Sequence, residues 1–326
     1  MADDPKRPGL LPYLLLTGTT VCWGGTFVAA KFAVADLPPL TAAAARFVIA
    51  WVPLAALLVW GQRQSLRLSL REVWPFALLG ITGPAIPNAL LFTGLQYTSA
   101  TNAALIQAGL PEMSALFAAA ALGERLGLRQ WVGILVSLLG VAYVVGEGSF
   151  GAILTLDLNR GNLMITGAVL SWSVNGVLSK LVLGRFSPLT VTTHTVFFGG
   201  LFLSALALTI GPAPATWSRP GWAAITAVLF LAVFGNVIGQ VWWFAGMRAV
   251  GVSRSAVFAN LMPLVGIGLA ALILGEQIAW YHVVGTLAVI GGVTLTIWTP
   301  DLVAWSRQGL RPVAASAGKQ DERCQT

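Results

Sequence analysis

Long apolar runs, separated by short polar or basic links, fill almost the whole chain. About 20 apolar residues in a helix cross the roughly 30 Å hydrocarbon core of a bilayer. Ten runs near that length lie at 12–34, 41–60, 73–97, 101–122, 130–146, 161–183, 189–211, 221–247, 255–274 and 282–299. The pattern predicts an all-α integral membrane protein with ten transmembrane helices. Residues 1–11 are expected to form a cytoplasmic N-terminal segment and 147–160 an external linker. Residues 300–326 read as a polar, disordered cytoplasmic tail. The first run is long enough to span and lacks a small-residue cleavage pattern, so it is expected to be retained rather than removed as a signal peptide.

Composition agrees with lipid as the solvent. Only 10% of the 326 residues are charged and 56% are hydrophobic, whereas a soluble domain has about 25% charged residues. The net charge of +7 does not point to nucleic acid, because the basic residues form no continuous patch. They occupy the links instead. With the N-terminus in the cytoplasm, 15 of the 19 Lys and Arg fall on the inner side, leaving Lys31, Arg46, Arg160 and Arg219 outside. Both termini are therefore expected to be cytoplasmic, in a multi-pass protein of the cell inner membrane. Cys22 lies in the first run and Cys324 in the tail, so neither a disulfide nor a metal site is implied.

The chain repeats itself. At an offset of 152, Gly83 matches Gly235, Phe92 matches Phe244, Pro111 matches Pro263, and Gly123-Glu124 matches Gly275-Glu276. Nearer the start of each half the offset is 149, pairing Trp23 with Trp172, Lys31 with Lys180 and Pro39 with Pro188. The halves are 12–146 and 161–299, each with five runs. Five is odd, so the second copy enters the membrane upside down. The charges agree: the loop Gly123–Arg129 carries two arginines, and its counterpart Gly275–Tyr281 carries none. Inverted repeats supply two opposite-facing states, which is the architecture of many secondary transporters.

The start Trp23-Gly24-Gly25-Thr26-Phe27, the stretch Ala45-Arg46-Phe47 and the paired Pro and Gly-Glu positions resemble the EamA branch of the drug/metabolite transporter superfamily. The resemblance runs from about residue 12 to 299. It implies a five-plus-five inverted helical fold and export of small metabolites; amino-acid exporters of the YddG type belong to this branch.

Interrupted helices at matching places in the two halves point to a midplane site. The third run contains Pro84 and Pro87, and the eighth contains Gly235 and Gly239; these are the expected hinges. Proline removes a backbone donor and frees a carbonyl that then needs a partner. Asn236, Gln240 and Trp243 share one face of the eighth helix. On the sixth helix Trp172 and Asn175 do the same, and Trp23 is the repeat counterpart of Trp172. With Asn88, Gln107 and Asn260 these residues are the expected substrate-binding lining. Aromatic and amide groups together suit a small zwitterion with an apolar side chain. Single amides also serve as interhelical bonds that only hold a bundle together.

Glu112 lies roughly 16 Å along its helix from the inner end, near the midplane. It is expected to couple protons, to balance a substrate ammonium, or to be a paired structural acid. Gln107 lies about 140° around the same helix, so the two cannot share a narrow face. Lys31, Lys180 and Arg46 read as snorkelling to the interface, with anion binding the alternative for Arg46. Glu124 and Glu276 read as helix caps or hinges, and His194 carries no assignment.

Two other function classes fit the sequence less well. A membrane enzyme acting on lipids or headgroups would need a nucleophile with a partner set, a metal cluster or a phosphate-binding loop, and the sequence has none of them. A scaffold would not need kinked, amide-bearing helices in both halves. The reading is a transporter and not an enzyme, without cofactors, whose partners are the bilayer and a small-molecule substrate, as a monomer or a homodimer.

Overall fold

The structure is a computed structural model that describes residues 10–122, 126–149, 151–152, 158–183, 185–212 and 219–297. Among these residues it is all-helical. The first half contains α1 (Leu10–Asp36), α2 (Pro39–Gly61), α3 (Leu70–Gly94), α4 (Ala100–Ala121) and α5 (Leu128–Val145). The second half contains α6 (Arg160–Leu183), α7 (Pro188–Thr209), α8 (Trp222–Val250), α9 (Val252–Leu274) and α10 (Trp280–Ile297). Seven of them, α1 to α5, α7 and α8, are long and apolar enough to cross a membrane. Leu261–Leu274 in α9 and Trp280–Thr296 in α10 are shorter apolar stretches.

Local chemistry starts and stops these helices. Pro39 and Pro188 open α2 and α7, where a missing N–H costs nothing. Ser69 and Glu72 form a capping box at α3, with the Ser69 N–H donating to Glu72 Oε2 at 2.7 Å. Ser99 and Ser187 cap α4 and α7 by accepting from the N–H groups of Asn102 and Thr190. Gly275, at φ +67°, ends α9 in the left-handed conformation that glycine adopts at least cost. Exposed tryptophans sit at helix ends: Trp60, Trp74, Trp222 and Trp280 are each more than half accessible. That is the placement expected of rings anchored at a membrane interface.

The two halves interlock rather than stand side by side. α1 packs on α8 and α9 of the second half, and its counterpart α6 packs on α3 and α4 of the first. α2 packs on its own counterpart α7, and α5 on its counterpart α10. Both of these pairs run antiparallel. Along α2 and α7, Phe47 lies beside Gly200 while the Thr193 hydroxyl donates to Leu54 O. Along α5 and α10, Gly133 meets Gly292 and Gly140 meets Gly285. A Cβ at Gly133 would stand 2.6 Å from Gly292 O, so the backbones touch where glycine allows it.

Candidate functional site

α3 and α8 each leave α geometry for a π-helical stretch, at Ile81–Ala85 and at Leu231–Ile238. At the offset of 152, Ile81 corresponds to Val233 and Ala85 to Val237, so the breaks coincide in the two copies. Pro84 and Gly235 lie inside these stretches, and Pro87 and Gly239 lie at the start of the α-helix that resumes after them. A π turn disturbs the regular ladder and leaves carbonyls open to side chains. The facing helices supply those side chains. Trp23 Nε1 donates to Gly235 O at 3.0 Å. Asn175 Nδ2 donates to Leu79 O at 2.9 Å and to Thr82 Oγ1 at 3.0 Å, and Ser171 Oγ donates to Thr82 O at 2.9 Å. A Cβ at Gly83 would lie 2.8 Å from Asn175 Nδ2, and one at Gly239 2.7 Å from Trp23 Nε1.

These broken helices border a central cavity of about 700 Å³. Its walls are built from matched positions of the two repeats. Trp23 and Trp172 both line it, as do Thr26 and Asn175 at the same offset of 149. At the offset of 152 the lining pairs include Gly83 with Gly235, Asn88 with Gln240, and Gln107 with Ala259. Most of the remaining wall is apolar, including Phe47, Leu91, Val196 and Met262. The volume and the mix of apolar wall with a few polar groups are those of a small-molecule site.

Arg46 occupies a different place from the one its sequence position predicts. It does not snorkel to an interface; it is buried and points into the cavity. Nη1 donates to Asn88 Oδ1 at 3.1 Å and Nη2 to Asn236 Oδ1 at 2.9 Å, so one amide from each half holds the guanidinium. Its Cζ stands 4.9 Å from the Phe47 ring centroid and 5.8 Å from that of Phe92, within reach of both π faces. The bonding partners lie 42 and 190 residues away, so no local pattern announces them.

Of the ten residues expected to bind substrate, Trp23, Asn88, Gln107, Trp172, Asn175, Asn236 and Gln240 line the cavity. Trp243 stands behind it, its ring centroid 5.3 Å from that of Trp23. Glu112 is fully buried outside the described lining, with the Ser137 hydroxyl of α5 as the polar group beside its carboxylate. The helix is interrupted at Ala108–Gly109 between Gln107 and Glu112, so their separation does not rest on the spacing of one continuous helix. The Asn260 side chain lies outside the described residues, as do Lys180 and Glu124. His194 instead ties down a loop: Nδ1 lies 2.8 Å from Thr190 O and Nε2 3.2 Å from Leu66 O.

One end of the bundle is tied across both halves. The Glu276 carboxylate accepts from the N–H groups of Ala100 and Thr101, at 2.8 and 2.9 Å, and from the Thr101 hydroxyl at 2.7 Å. It caps α4 of the opposite half, where a helix N-terminus favours negative charge. Lys31 Nζ donates to Leu95 O and Thr98 O at 2.6 and 2.5 Å, closing the C-terminal end of α3. Asn162 Oδ1 accepts from Thr98 Oγ1 at 2.6 Å. His282 Nδ1 accepts from the Ala279 N–H, which leaves Nε2 to donate to Asn102 Oδ1 at 2.8 Å. The cavity lies toward the other end: on α4 it begins at Gln107, beyond Asn102, and on α6 at Trp172, beyond Asn162.

Known proteins are similar to this chain. The EamA-like transporter family matches the chain twice, over residues 10–146 and 159–298. The uncharacterized transporter YyaM of Bacillus subtilis is 32% identical over 281 residues, covering 86% of this chain and 92% of that protein. A protein of Salmonella typhimurium named "probable amino-acid metabolite efflux pump" is 25% identical over 304 residues, covering 90% of this chain and 95% of its own length. A solved crystal structure aligns with a TM-score of 0.62 over 88% of this chain and 98% of its own, at 20% identity, which is a likeness of fold alone. Two family units in tandem, apolar helices of spanning length and relatives named as transporters place the chain in the EamA-like transporter family, as a multi-pass membrane transporter.

Proposed function

We propose that this transporter exports small metabolites, foremost amino acids with aromatic or hydrophobic side chains, across the bacterial inner membrane by alternating access through the central cavity. In this reading α1 to α10 all span the bilayer, as two inverted five-helix repeats with both termini in the cytoplasm. The observation that carries the reading is the cavity wall. Positions related by the repeat line it together, and α3 and α8 turn π-helical at matched places. A symmetric container with two equivalent hinges can open at either end, which is what alternating access requires. The antiparallel runs of α2 with α7 and of α5 with α10 support the inversion.

The bundle end tied by Glu276 and Lys31 is then the external gate, and the cavity faces inward. Glu112 has no place in the lining, so its role in this reading is proton coupling rather than balancing a substrate ammonium. A titratable carboxyl in the middle of a membrane helix is costly to keep without such use.

The test is flux. Purified full-length protein in liposomes, offered a panel of radiolabelled amino acids, is expected to exchange at least one apolar or aromatic member well above protein-free vesicles. Background flux for the whole panel contradicts the amino-acid reading.

A further inference from the structure

The described cavity lining holds a cation and no anion. Arg46 is its one charged side chain, and its counterpart at the offset of 149 is the neutral Thr195, which also lines the cavity. Both neighbours that hold the guanidinium are neutral amides. Removing a charge from water without a counter-charge is expensive in protein and more so in a membrane. Fixing it there with two amides, one from each half, spends stability on position.

Two donors at this corner are unpaired among the described residues and shielded from the cavity, so a ligand reaches them as the two side chains shift. Arg46 is 8% exposed and Asn236 is 9% exposed, and among the described residues Arg46 Nε and Asn236 Nδ2 have no hydrogen-bond partner. They are adjacent, because Nη2 of the same guanidinium donates to Oδ1 of the same amide at 2.9 Å. A carboxylate offers two acceptor oxygens and a single negative charge, which matches two donors and one cation. A doubly charged phosphate would bring a second charge with no partner among the lining residues. Around this corner Phe47, Leu91 and Trp23 present apolar surface to the rest of the ligand.

We propose that the Arg46–Asn236 corner of the cavity is the subsite for the carboxylate of an apolar monocarboxylate, amino acids included. Resting on the transporter reading, this names what the site selects: the carboxylate is read by charge, while an ammonium meets only neutral lining groups. A substrate without its amino group therefore keeps the decisive contact, and one without its carboxylate loses it.

Binding to the purified full-length protein tests this with three probes of one skeleton: L-phenylalanine, 3-phenylpropionate and phenethylamine. Tryptophan fluorescence reports occupancy, because Trp23 and Trp172 line the cavity and the probes contain only phenyl rings. The two carboxylates are expected to bind at least about tenfold more tightly than the amine, as a hydrogen-bonded charge contact implies. Arg46→Gln is expected to remove that advantage, and Arg46→Lys to keep part of it. Asn236→Asp, nearly isosteric, places a carboxylate beside the guanidinium; it is expected to weaken both acids about tenfold and spare or favour the amine, which keeps the test open if Arg46→Gln does not fold. Equal binding of amine and acids, acid binding unchanged in Arg46→Gln and Asn236→Asp, or no binding of either acid overturns the subsite. Flux of the amine in liposomes alongside equal binding would leave a transporter without this subsite. Tight acid binding without flux of any probe would keep the subsite and remove the transport reading.

Discussion

Trp23 and Asn175 solve one problem with different chemistry. Each stands on the first helix of its repeat; Trp23 donates to Gly235 O within the π stretch of α8, and Asn175 to Leu79 O just before that of α3 and to Thr82 Oγ1 within it. The breaks are therefore held in shape by donors from the other half. Glycine is required at the contact, because a Cβ at Gly239 would lie 2.7 Å from Trp23 Nε1 and 2.8 Å from Phe234 O. Gly239→Ala is expected to cost about 1–3 kcal/mol of stability, the usual cost of overpacking, and to shift the indole emission as Trp23 is pushed aside. Unchanged thermal unfolding and fluorescence would contradict this contact. Glu112→Gln keeps shape and removes a titratable group. It is expected to flatten the pH dependence of uptake while leaving substrate KM unchanged, because Glu112 does not line the cavity. An unaltered pH profile removes the proton role.

At this scale the sequence was legible where geometry is local. Trp172 and Asn175, on one face of the continuous α6, both line the cavity, whereas on α8 Asn236 and Gln240 line it and Trp243 does not. Arg46 was not legible. Depth along a helix placed it near an interface, and only tertiary contact with Asn88 and Asn236 shows that it turns inward.

In the alternating-access proposal the switch is carried by whole elements. Glu276 of the second half caps α4 of the first with both carboxylate oxygens, so the tied end cannot open without breaking those bonds. Hydrogen bonds to a charged group contribute about 1.5–3 kcal/mol, enough to shift a two-state equilibrium about tenfold or more. Glu276→Ala is expected to raise, by about that factor, the labelling from outside of a cysteine placed at Gln107 in a background without Cys22 and Cys324. A labelling rate that does not change means that this end is not the gate. The α5–α10 contact is expected to behave oppositely, as a fixed seam. Gly133→Val drives a side chain into Gly292 O and the Thr296 backbone, and is expected to lower thermal stability, with no gain in labelling at Gln107. Proline and glycine in α3 and α8 announced that these helices break. They did not announce a π turn, since the hydrogen-bond register depends on which donors from α1 and α6 reach the freed carbonyls.

For the whole molecule, duplication explains more than any single residue. Two copies, each unable to enclose a cavity alone, interlock through α1 with α8 and α9 and through α6 with α3 and α4. The matched lining and the matched breaks follow from that exchange. The symmetry of the lining is broken at Arg46, whose repeat counterpart is the neutral Thr195. Counting apolar runs foresaw the helices because the bilayer imposes their length. It could not foresee the interlocking, which depends on small residues such as Gly24 meeting the backbone at Gly266.

Leu128 and Trp280 are repeat counterparts at the offset of 152, and both are exposed at helix starts. The most direct test of the inverted architecture labels L128C and W280C, each in the background without native cysteines, with a membrane-impermeant maleimide on intact cells. W280C is expected to react at once and L128C only after the membrane is permeabilised. Reaction of both from the same side would contradict the inversion, and the alternating-access account with it.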